Sequence, residues 1–140
     1  MKPAPFQYFA PPTLDEALAL LAEHGDAAKV LAGGQSLVPM MNFRLVSPSI
    51  IIDLNRVAGL DYIRDHEGGL AFGAMTRQRK LERDSVVASR APLVAETMPF
   101  IAHSQIRNRG TIGGSLAHAD PAAELPAVMI ASSAKLKVKS

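Results

Sequence analysis

The segment Lys29-Val30-Leu31-Ala32-Gly33-Gly34-Gln35-Ser36 joins a strand-like apolar run directly to two glycines and a hydroxyl residue. The residues that follow Ser36 are again apolar and predict a short helix. Glycine lets the backbone approach a ligand closely, and its free φ lets successive N–H groups point into one concavity. A strand, such a loop and a helix N-terminus, in this order, favour the binding of phosphate oxygens.

The sequence around this segment alternates between strand-like and helix-like patterns. The clearest buried strand covers residues 49–54, because three consecutive isoleucines are hard to interpret otherwise. The other predicted strands are residues 6–9, a hairpin of residues 61–64 and 70–72, and a half-exposed strand over residues 134–139. Four further helices are predicted. The first runs from the capping box Thr13-x-x-Glu16 to Gly25, and the second covers residues 77–83 after Thr76. The third covers residues 86–100, with Pro92 and Pro99 near ends or kinks, and the fourth is opened by Asp120-Pro121 and runs through Ala131.

Composition restricts the function classes. The chain has 140 residues, of which 48% are hydrophobic and 20% charged, so it predicts one globular domain or part of one. The net charge of +2 is scattered along the chain, so nucleic acid is not the expected partner. The absence of cysteine excludes disulfides, thiolate zinc sites, cysteine nucleophiles and iron–sulfur clusters held by this chain. No apolar run approaches the roughly 20 residues of a membrane span and no signal-peptide pattern opens the chain, so a cytoplasmic protein is expected.

The chain stops at Ser140, inside or just after the last predicted strand. An uncovered strand edge is a pairing hazard, so we expect an unfinished domain whose exposed edge is covered by another chain or by a further C-terminal portion.

A second segment, Thr111-Ile112-Gly113-Gly114-Ser115, repeats the combination of a glycine pair with small hydroxyl residues. Two such loops could share the two phosphates of one dinucleotide. The alternative is that each glycine pair only makes a tight turn, as Gly68-Gly69 is expected to do in the hairpin. Neither segment matches G-x-x-x-x-G-K-[ST] or G-x-G-x-x-G, so the fingerprints of a P-loop and of a Rossmann site are both absent.

The remaining polar residues favour simple roles. His103 and His118 are too far apart for a helix-spaced metal pair, and no nearby third ligand has zincin spacing, so no metal site is expected. His24 suits the C-terminal end of a helix, and His66 is expected in a turn. The basic residues of the stretch 77–83 predict a solvated helix face or a contact with an acidic partner. For Arg107 and Arg109, phosphate steering and plain surface exposure stay equally open.

Two longer strings carry a family resemblance: AGGQSLVPMM at residues 32–41, with Arg44-Leu45, and IRNRGTIGGSLAHADPAAELP at residues 106–126. Both closely resemble the FAD-binding medium subunit of the molybdenum hydroxylases, the family that contains bacterial carbon monoxide dehydrogenase and xanthine dehydrogenase. The resemblance covers essentially the whole chain. It implies an α+β fold with two subdomains, of the PCMH or vanillyl-alcohol-oxidase-like FAD-binding type, incomplete at the C-terminus. Residues 1–58 would form the first subdomain with the first glycine loop, and residues 59–140 the truncated start of the second subdomain with the second loop.

The resemblance also implies an FAD site with both glycine loops on the diphosphate. Leu37 follows the first loop, Ile101 lines the flavin pocket, and His118 lies close to the isoalloxazine. Glu124 stands where many members have an aspartate that contacts FAD, so it could accept from a ribose hydroxyl or an adenine amine. The complete set of expected FAD-binding residues is Ala32, Gly33, Gly34, Gln35, Ser36, Leu37, Ile101, Thr111, Ile112, Gly113, Gly114, Ser115, His118 and Glu124.

The function that the resemblance implies is electron transfer. The chain would take electrons from two-iron two-sulfur clusters on a small subunit, which a molybdenum cofactor on a large subunit feeds, and would pass them to an external acceptor. A heterotrimer or its dimer is the expected assembly. No catalytic side chain is demanded, since the flavin supplies the redox chemistry. The alternatives are an interaction module of the same complex without flavin, and a stand-alone flavoenzyme of related fold.

Overall fold

The computed structural model describes residues 1–140, which divide into two compact units, Met1–Gly59 and Leu60–Ser140. The first unit contains a parallel three-stranded sheet, and the second contains a hairpin and six short helices. None of the helices combines the length and the apolar character that crossing a bilayer requires.

The first unit is built on the strand that the isoleucines predict. Its elements are β1 (Gln7–Phe9), α1 (Leu14–His24), β2 (Ala28–Leu31), α2 (Leu37–Asn42) and β3 (Ile50–Asp53). The strand order is β1-β3-β2, and both neighbours run parallel to β3. All four residues of β3 are buried, which explains why this strand is a continuous apolar run.

Helix α1 begins and ends where its capping signals predict. The Thr13 Oγ1 accepts a hydrogen bond of 3.2 Å from the backbone N–H of Glu16. Gly25 ends the helix with a φ of +50°, and a single 3₁₀ turn, Gly25–Ala27, leads into β2. The ring of His24, in the last turn, stacks on Phe9 with 5.7 Å between the ring centroids. The helix is therefore fixed against the sheet at its C-terminal end.

The second unit opens with the hairpin predicted from sequence. Strands β4 (Ile63–His66) and β5 (Gly69–Phe72) pair antiparallel around a two-residue turn, Glu67-Gly68. The helices that follow are α3 (Gln78–Arg83), α4 (Ser85–Arg90), α5 (Pro92–Thr97), α6 (Ser104–Arg109), α7 (Ile112–His118) and α8 (Glu124–Ala131). Their apolar faces meet in one core made of Leu81, Val87, Val94, Met98, Ile112, Leu125, Val128 and Met129.

The single helix predicted over residues 86–100 is wrong. Helix α4 ends at Arg90 and α5 begins at Pro92, with Ala91 between them at a non-helical φ of −137°. Proline has no N–H to continue a helix and is favoured at its first position, so Pro92 separates the two elements. Pro99 lies in a separate 3₁₀ turn, Met98–Phe100.

The expected start of the last helix and the expected strand at residues 134–139 are also wrong. Helix α8 begins at Glu124 rather than at Pro121, because Asp120 Oδ1 accepts from the N–H of Ala122 and closes a turn before the helix. Thr76, which precedes α3, is fully buried, and its hydroxyl bonds to the backbone of Tyr62. Residues 134–139 are exposed and form no strand, since no strand of this chain pairs with them.

Candidate functional site

The first glycine segment lies between β2 and α2, at the carboxyl end of the parallel sheet. Ligands of α/β sheets characteristically bind at this edge. Gly34 has a φ of +76°, and a Cβ there would come within 3.2 Å of both Leu31 Cδ1 and Val38 Cγ2. The backbone conformation and the limited space both require glycine at this position.

The backbone N–H groups of residues 33–37 donate no hydrogen bond within the chain. The first N–H used after β2 is that of Val38, which donates to the carbonyl of Gly34 at 3.0 Å. The preceding residues Ala32, Gly33, Gly34 and Gln35 are half-buried. A run of unpaired N–H groups in a partly enclosed loop fits a phosphate oxygen or another anion.

A polar network at the end of the sheet holds the start of this segment. The Asn55 Nδ2 donates to the carbonyl of Ala32 at 3.0 Å and to Asp53 Oδ1 at 2.5 Å. Asp53 is buried, and its Oδ2 accepts from the Tyr8 hydroxyl at 2.5 Å. This hydrogen bond, together with burial and the carboxylate charge, raises the pKa of Tyr8. The network therefore connects β1, β3 and the loop that follows β2.

The second glycine segment is not a loop but the first turn of α7. Thr111 is the N-cap, and its Oγ1 accepts from the N–H of Gly114 at 3.1 Å. The Thr111 carbonyl accepts from the N–H of Ser115 at the same distance. A buried capping threonine thus overrides the low helix propensity of two glycines.

The two remaining N–H groups of this turn are also in use. Ile112 donates to the carbonyl of Thr76 at 3.0 Å, and Gly113 donates to the carbonyl of Ala74 at 2.9 Å. A Cβ at Gly113 would lie only 2.6 Å from that Ala74 carbonyl oxygen, so glycine is needed here for backbone packing. The N–H groups of residues 112–115 are therefore occupied within the chain, and among the five residues of this segment only the N–H of Thr111 donates no hydrogen bond.

Three further residues expected at the site also belong to the second unit. Ile101 follows the 3₁₀ turn, is half-buried and packs against the core. His118 is the last residue of α7 and is exposed. Glu124 is the first residue of α8, and its half-buried carboxylate forms no hydrogen bond or ion pair within the chain. The carboxylate of Glu124 can therefore accept a hydrogen bond from a ligand.

The structure decides between phosphate steering and surface exposure for Arg107. Its side chain is buried, and its guanidinium donates to both carboxylate oxygens of Glu82, from Nε at 2.9 Å and from Nη2 at 3.3 Å. The Nη1 atom donates to the carbonyls of Ile101 at 3.0 Å and Ala102 at 3.4 Å. Hydrogen bonds from Arg107, and then from Arg79, hold the pKa of Glu82 below its usual value against the opposing effect of burial. Arg107 is therefore a structural residue, neither phosphate-steering nor merely exposed.

Two basic residues of the stretch 77–83 form ion pairs. Lys80 Nζ lies 2.9 Å from Asp61 Oδ1, and Arg79 Nη1 lies 2.9 Å from Glu82 Oε2. Arg109 is exposed, and its carbonyl accepts from the Arg77 guanidinium. No group of three His, Cys, Asp or Glu side chains is arranged to hold a metal ion.

Sequence reasoning named Arg107 but missed its buried structural role, and it did not single out Asn55. Arg107 lies on α6, which no periodic pattern predicts, so its burial could not be foreseen. For Asn55 a signal existed: polar residues directly after a buried parallel strand lie at the same edge as the loop after the neighbouring strand.

Comparison with known proteins covers nearly the whole chain. The family model described as the FAD binding domain in molybdopterin dehydrogenase matches residues 4–140. The chain is 51% identical over 140 residues to the 6-hydroxypseudooxynicotine dehydrogenase complex subunit alpha of Paenarthrobacter nicotinovorans, covering 100% of this chain and 47% of that protein. It is 47% identical over 131 residues to the carbon monoxide dehydrogenase medium chain of Hydrogenophaga pseudoflava, covering 94% and 46%.

Solved structures agree with these sequence matches. A structure of carbon monoxide dehydrogenase from Hydrogenophaga pseudoflava superposes with a TM-score of 0.91 at 47% identity, covering 94% of this chain and 46% of that one. Quinoline 2-oxidoreductase from Pseudomonas putida 86 superposes with a TM-score of 0.88 at 44% identity, covering 92% and 45%. The chain spans about half the length of the curated relatives that it matches.

Proposed function

The chain belongs to the family of FAD-binding domains of molybdopterin dehydrogenases, and from this membership we propose that it acts in electron transfer within a molybdenum-containing hydroxylase or dehydrogenase. In this proposal it accepts electrons from iron–sulfur clusters on a partner subunit and passes them to an external acceptor. The names of its relatives, a complex subunit alpha and a medium chain, support a role inside an assembly. A large molybdenum-binding subunit and a small iron–sulfur subunit are the proposed partners.

One observation carries the proposed cofactor site: the unpaired N–H groups of residues 33–37 at the carboxyl end of the parallel sheet. These groups suit the diphosphate of FAD, and the Ser36 hydroxyl is exposed beside them as a further donor. Bound FAD would supply the redox chemistry, while the chain orients it and sets its electrostatic surroundings. Ala32, Gly33, Gly34, Gln35, Ser36 and Leu37 are the proposed residues of the first unit.

In the second unit the proposed contributions come from side chains, because the N–H groups of the α7 turn are occupied. The Ser115 hydroxyl is half-buried and can donate to a phosphate oxygen. Glu124 can accept from a ribose hydroxyl or an adenine amine, while Ile101 and His118 are proposed flavin neighbours. Thr111, Ile112, Gly113 and Gly114 are proposed to act through the shape of the turn. As part of the same proposal, residues 1–58 and 59–140 are the two subdomains of the FAD domain.

The test is titration of the full chain with FAD, followed by the flavin absorption spectrum. The informative variant is Ser36→Asp, which places a carboxylate beside the unpaired N–H groups. Aspartate is a good N-cap, so this change is expected to preserve α2 while repelling the diphosphate and raising the Kd for FAD about tenfold. Thr13→Asp is the matched control, since it puts the same charge at another exposed N-cap of the same unit.

Saturable binding that Ser36→Asp weakens and Thr13→Asp preserves would support the proposal. A folded chain that binds no FAD would favour an interaction module of the complex instead. A flavin that is reduced by a small substrate without any partner would favour a stand-alone flavoenzyme, whereas reduction that requires the partner subunits supports electron transfer inside the assembly.

A further inference from the structure

Two side-chain amides hold consecutive carbonyls of the first glycine segment. The Asn55 Nδ2 donates to the carbonyl of Ala32 at 3.0 Å, and the Gln35 Nε2 donates to the carbonyl of Gly33 at 2.9 Å. The first donor comes from a residue far along the chain and the second from within the segment itself. Both acceptors belong to peptide groups whose N–H lies among the unpaired ones.

These contacts determine where the unpaired N–H groups point. A trans peptide unit is planar, so its C=O and the following N–H point in opposite directions. Holding the Ala32 oxygen therefore fixes the direction of the Gly33 N–H, and holding the Gly33 oxygen fixes that of the Gly34 N–H. Glycine places few steric limits on such a peptide, so without the amides the two units could rotate away.

The Asn55 amide is itself held in place. Asp53 is buried and accepts from both the Asn55 side chain, at 2.5 Å, and the Asn55 backbone N–H, at 2.8 Å. The second oxygen of Asp53 accepts from the Tyr8 hydroxyl on the neighbouring strand. The orientation of Asn55 therefore follows from two strands of the rigid sheet and not from a mobile loop.

We propose that Asn55 and Gln35 are positioning residues that orient the peptide units of residues 32–34 so that their N–H groups receive the FAD diphosphate. The inference rests on the proposed function, since the anion it invokes is the FAD diphosphate. Neither side chain needs to touch the cofactor for this role. The amides act by preorganising the donors before the anion arrives, which lowers the cost of binding.

The test uses the full chain, in any complex in which it is isolated, with Asn55→Ala and Gln35→Met as separate variants. Both remove a donor without adding charge, and Gln35→Met also keeps the side-chain length. The control is Ser49→Ala, because Ser49 Oγ donates to the carbonyl of Ala27 at 3.4 Å at the opposite end of the same strand pair. All three variants lose one hydrogen bond from a side chain to the backbone, and Asn55→Ala also loses the donation from Nδ2 to Asp53 Oδ1.

We expect the Kd for FAD to rise about five- to tenfold in Asn55→Ala and in Gln35→Met, and to change less than about twofold in Ser49→Ala. At saturating FAD, the ³¹P resonances of the bound diphosphate should shift in the two amide variants and not in the control. A loss of stability alone would lower the melting temperature without moving these resonances.

Unchanged Kd and ³¹P resonances in a folded amide variant would overturn the role of that amide, and an equal loss of affinity in Ser49→Ala would overturn both roles. If Asn55→Ala fails to fold, Gln35→Met still decides the proposal because it changes only the loop. A wild-type chain that binds no FAD would instead overturn the proposed function itself, so the two failures are distinguishable.

Discussion

The guanidinium of Arg107 is paired side-on with the carboxylate of Glu82, with 2.9 Å from Nε to Oε2 and 3.3 Å from Nη2 to Oε1. The two residues come from α6 and α3, and the remaining Nη1 donates to the carbonyls of Ile101 and Ala102. Ala102 has a φ of +45°, an unfavourable conformation for a residue with a Cβ. Arg107 thus neutralises a mostly buried carboxylate and holds a strained turn at the same time.

Replacing Arg107 with alanine should cost about 3 kcal/mol of unfolding free energy, because removing one partner of a buried pair leaves the other charge without compensation. Urea unfolding of the full chain measures this loss. The control is Lys80→Ala, whose ion pair with Asp61 is about half exposed and should contribute less than about 1 kcal/mol. A loss no larger than the Lys80→Ala loss would contradict a structural role for Arg107.

The same pair predicts acid sensitivity. The pKa of Glu82 in the folded chain lies below the ordinary value of 4.5, chiefly because Arg107 donates to it. Its contribution is therefore complete above the ordinary pKa and is lost as the pH falls through the lower folded-state value. Glu82→Gln should destabilise the chain at pH 7 and make its stability fall less steeply as the pH is lowered below 4.5. The exposed Glu96 forms no ion pair, so Glu96→Gln should keep the wild-type pH profile.

The elements governed by local signals could be predicted from sequence. The isoleucines of β3, the caps of α1 and the turn of the hairpin each act within a few residues, and the structure contains all three. The family predicted from the two long motifs is confirmed by the match over residues 4–140 and by relatives of up to 51% identity. The resemblance to the medium subunits of molybdenum hydroxylases therefore gave the correct FAD-binding fold.

Elements that depend on distant contacts could not be predicted. Helix α7 contains two glycines, and it forms because Thr111 caps it and because its first turn bonds to the backbone at Ala74 and Thr76. The same contacts occupy the N–H groups of residues 112–114, which the motif alone suggests are free. Residue types therefore identified both segments, but only the structure shows that their glycines serve different purposes.

The network beside the first segment predicts an alkaline transition. The hydrogen bond to Asp53 raises the pKa of Tyr8 above its ordinary value of 10.0, since it favours the neutral phenol next to a carboxylate. The hydrogen bond stabilises the folded chain fully below the pKa that Tyr8 has in the unfolded chain. This stabilisation is lost as the pH rises through the pKa of Tyr8 in the folded chain. Because Tyr8 is 54% exposed, solvent weakens this contribution, and Tyr8→Phe should lower stability at pH 7 by less than about 1 kcal/mol and remove the alkaline loss.

Phenolate absorbance measures the Tyr8 transition directly, because the chain contains only two tyrosines. Subtracting the titration of Tyr8→Phe from that of the wild type isolates Tyr8. A midpoint above 10 is expected, and a midpoint at or below 10 would contradict the hydrogen bond to Asp53.

Substitution of Gly113 can show whether the second glycine pair serves backbone packing or cofactor binding. A Cβ at Gly113 would lie 2.6 Å from the Ala74 carbonyl oxygen and 2.8 Å from its Cα, and backbone atoms cannot give way as a flexible side chain can. Gly113→Ala should therefore destabilise the chain by about 2 kcal/mol, even after the gain in helix propensity. The control is Gly69→Ala, since a Cβ there meets only an ordinary contact of 3.7 Å with the His66 carbonyl oxygen. If Gly113→Ala unfolds at the same urea concentration as the wild type but no longer binds FAD, the glycine serves the cofactor. If Gly113→Ala unfolds at a lower urea concentration, any loss of FAD binding follows from the displaced α7.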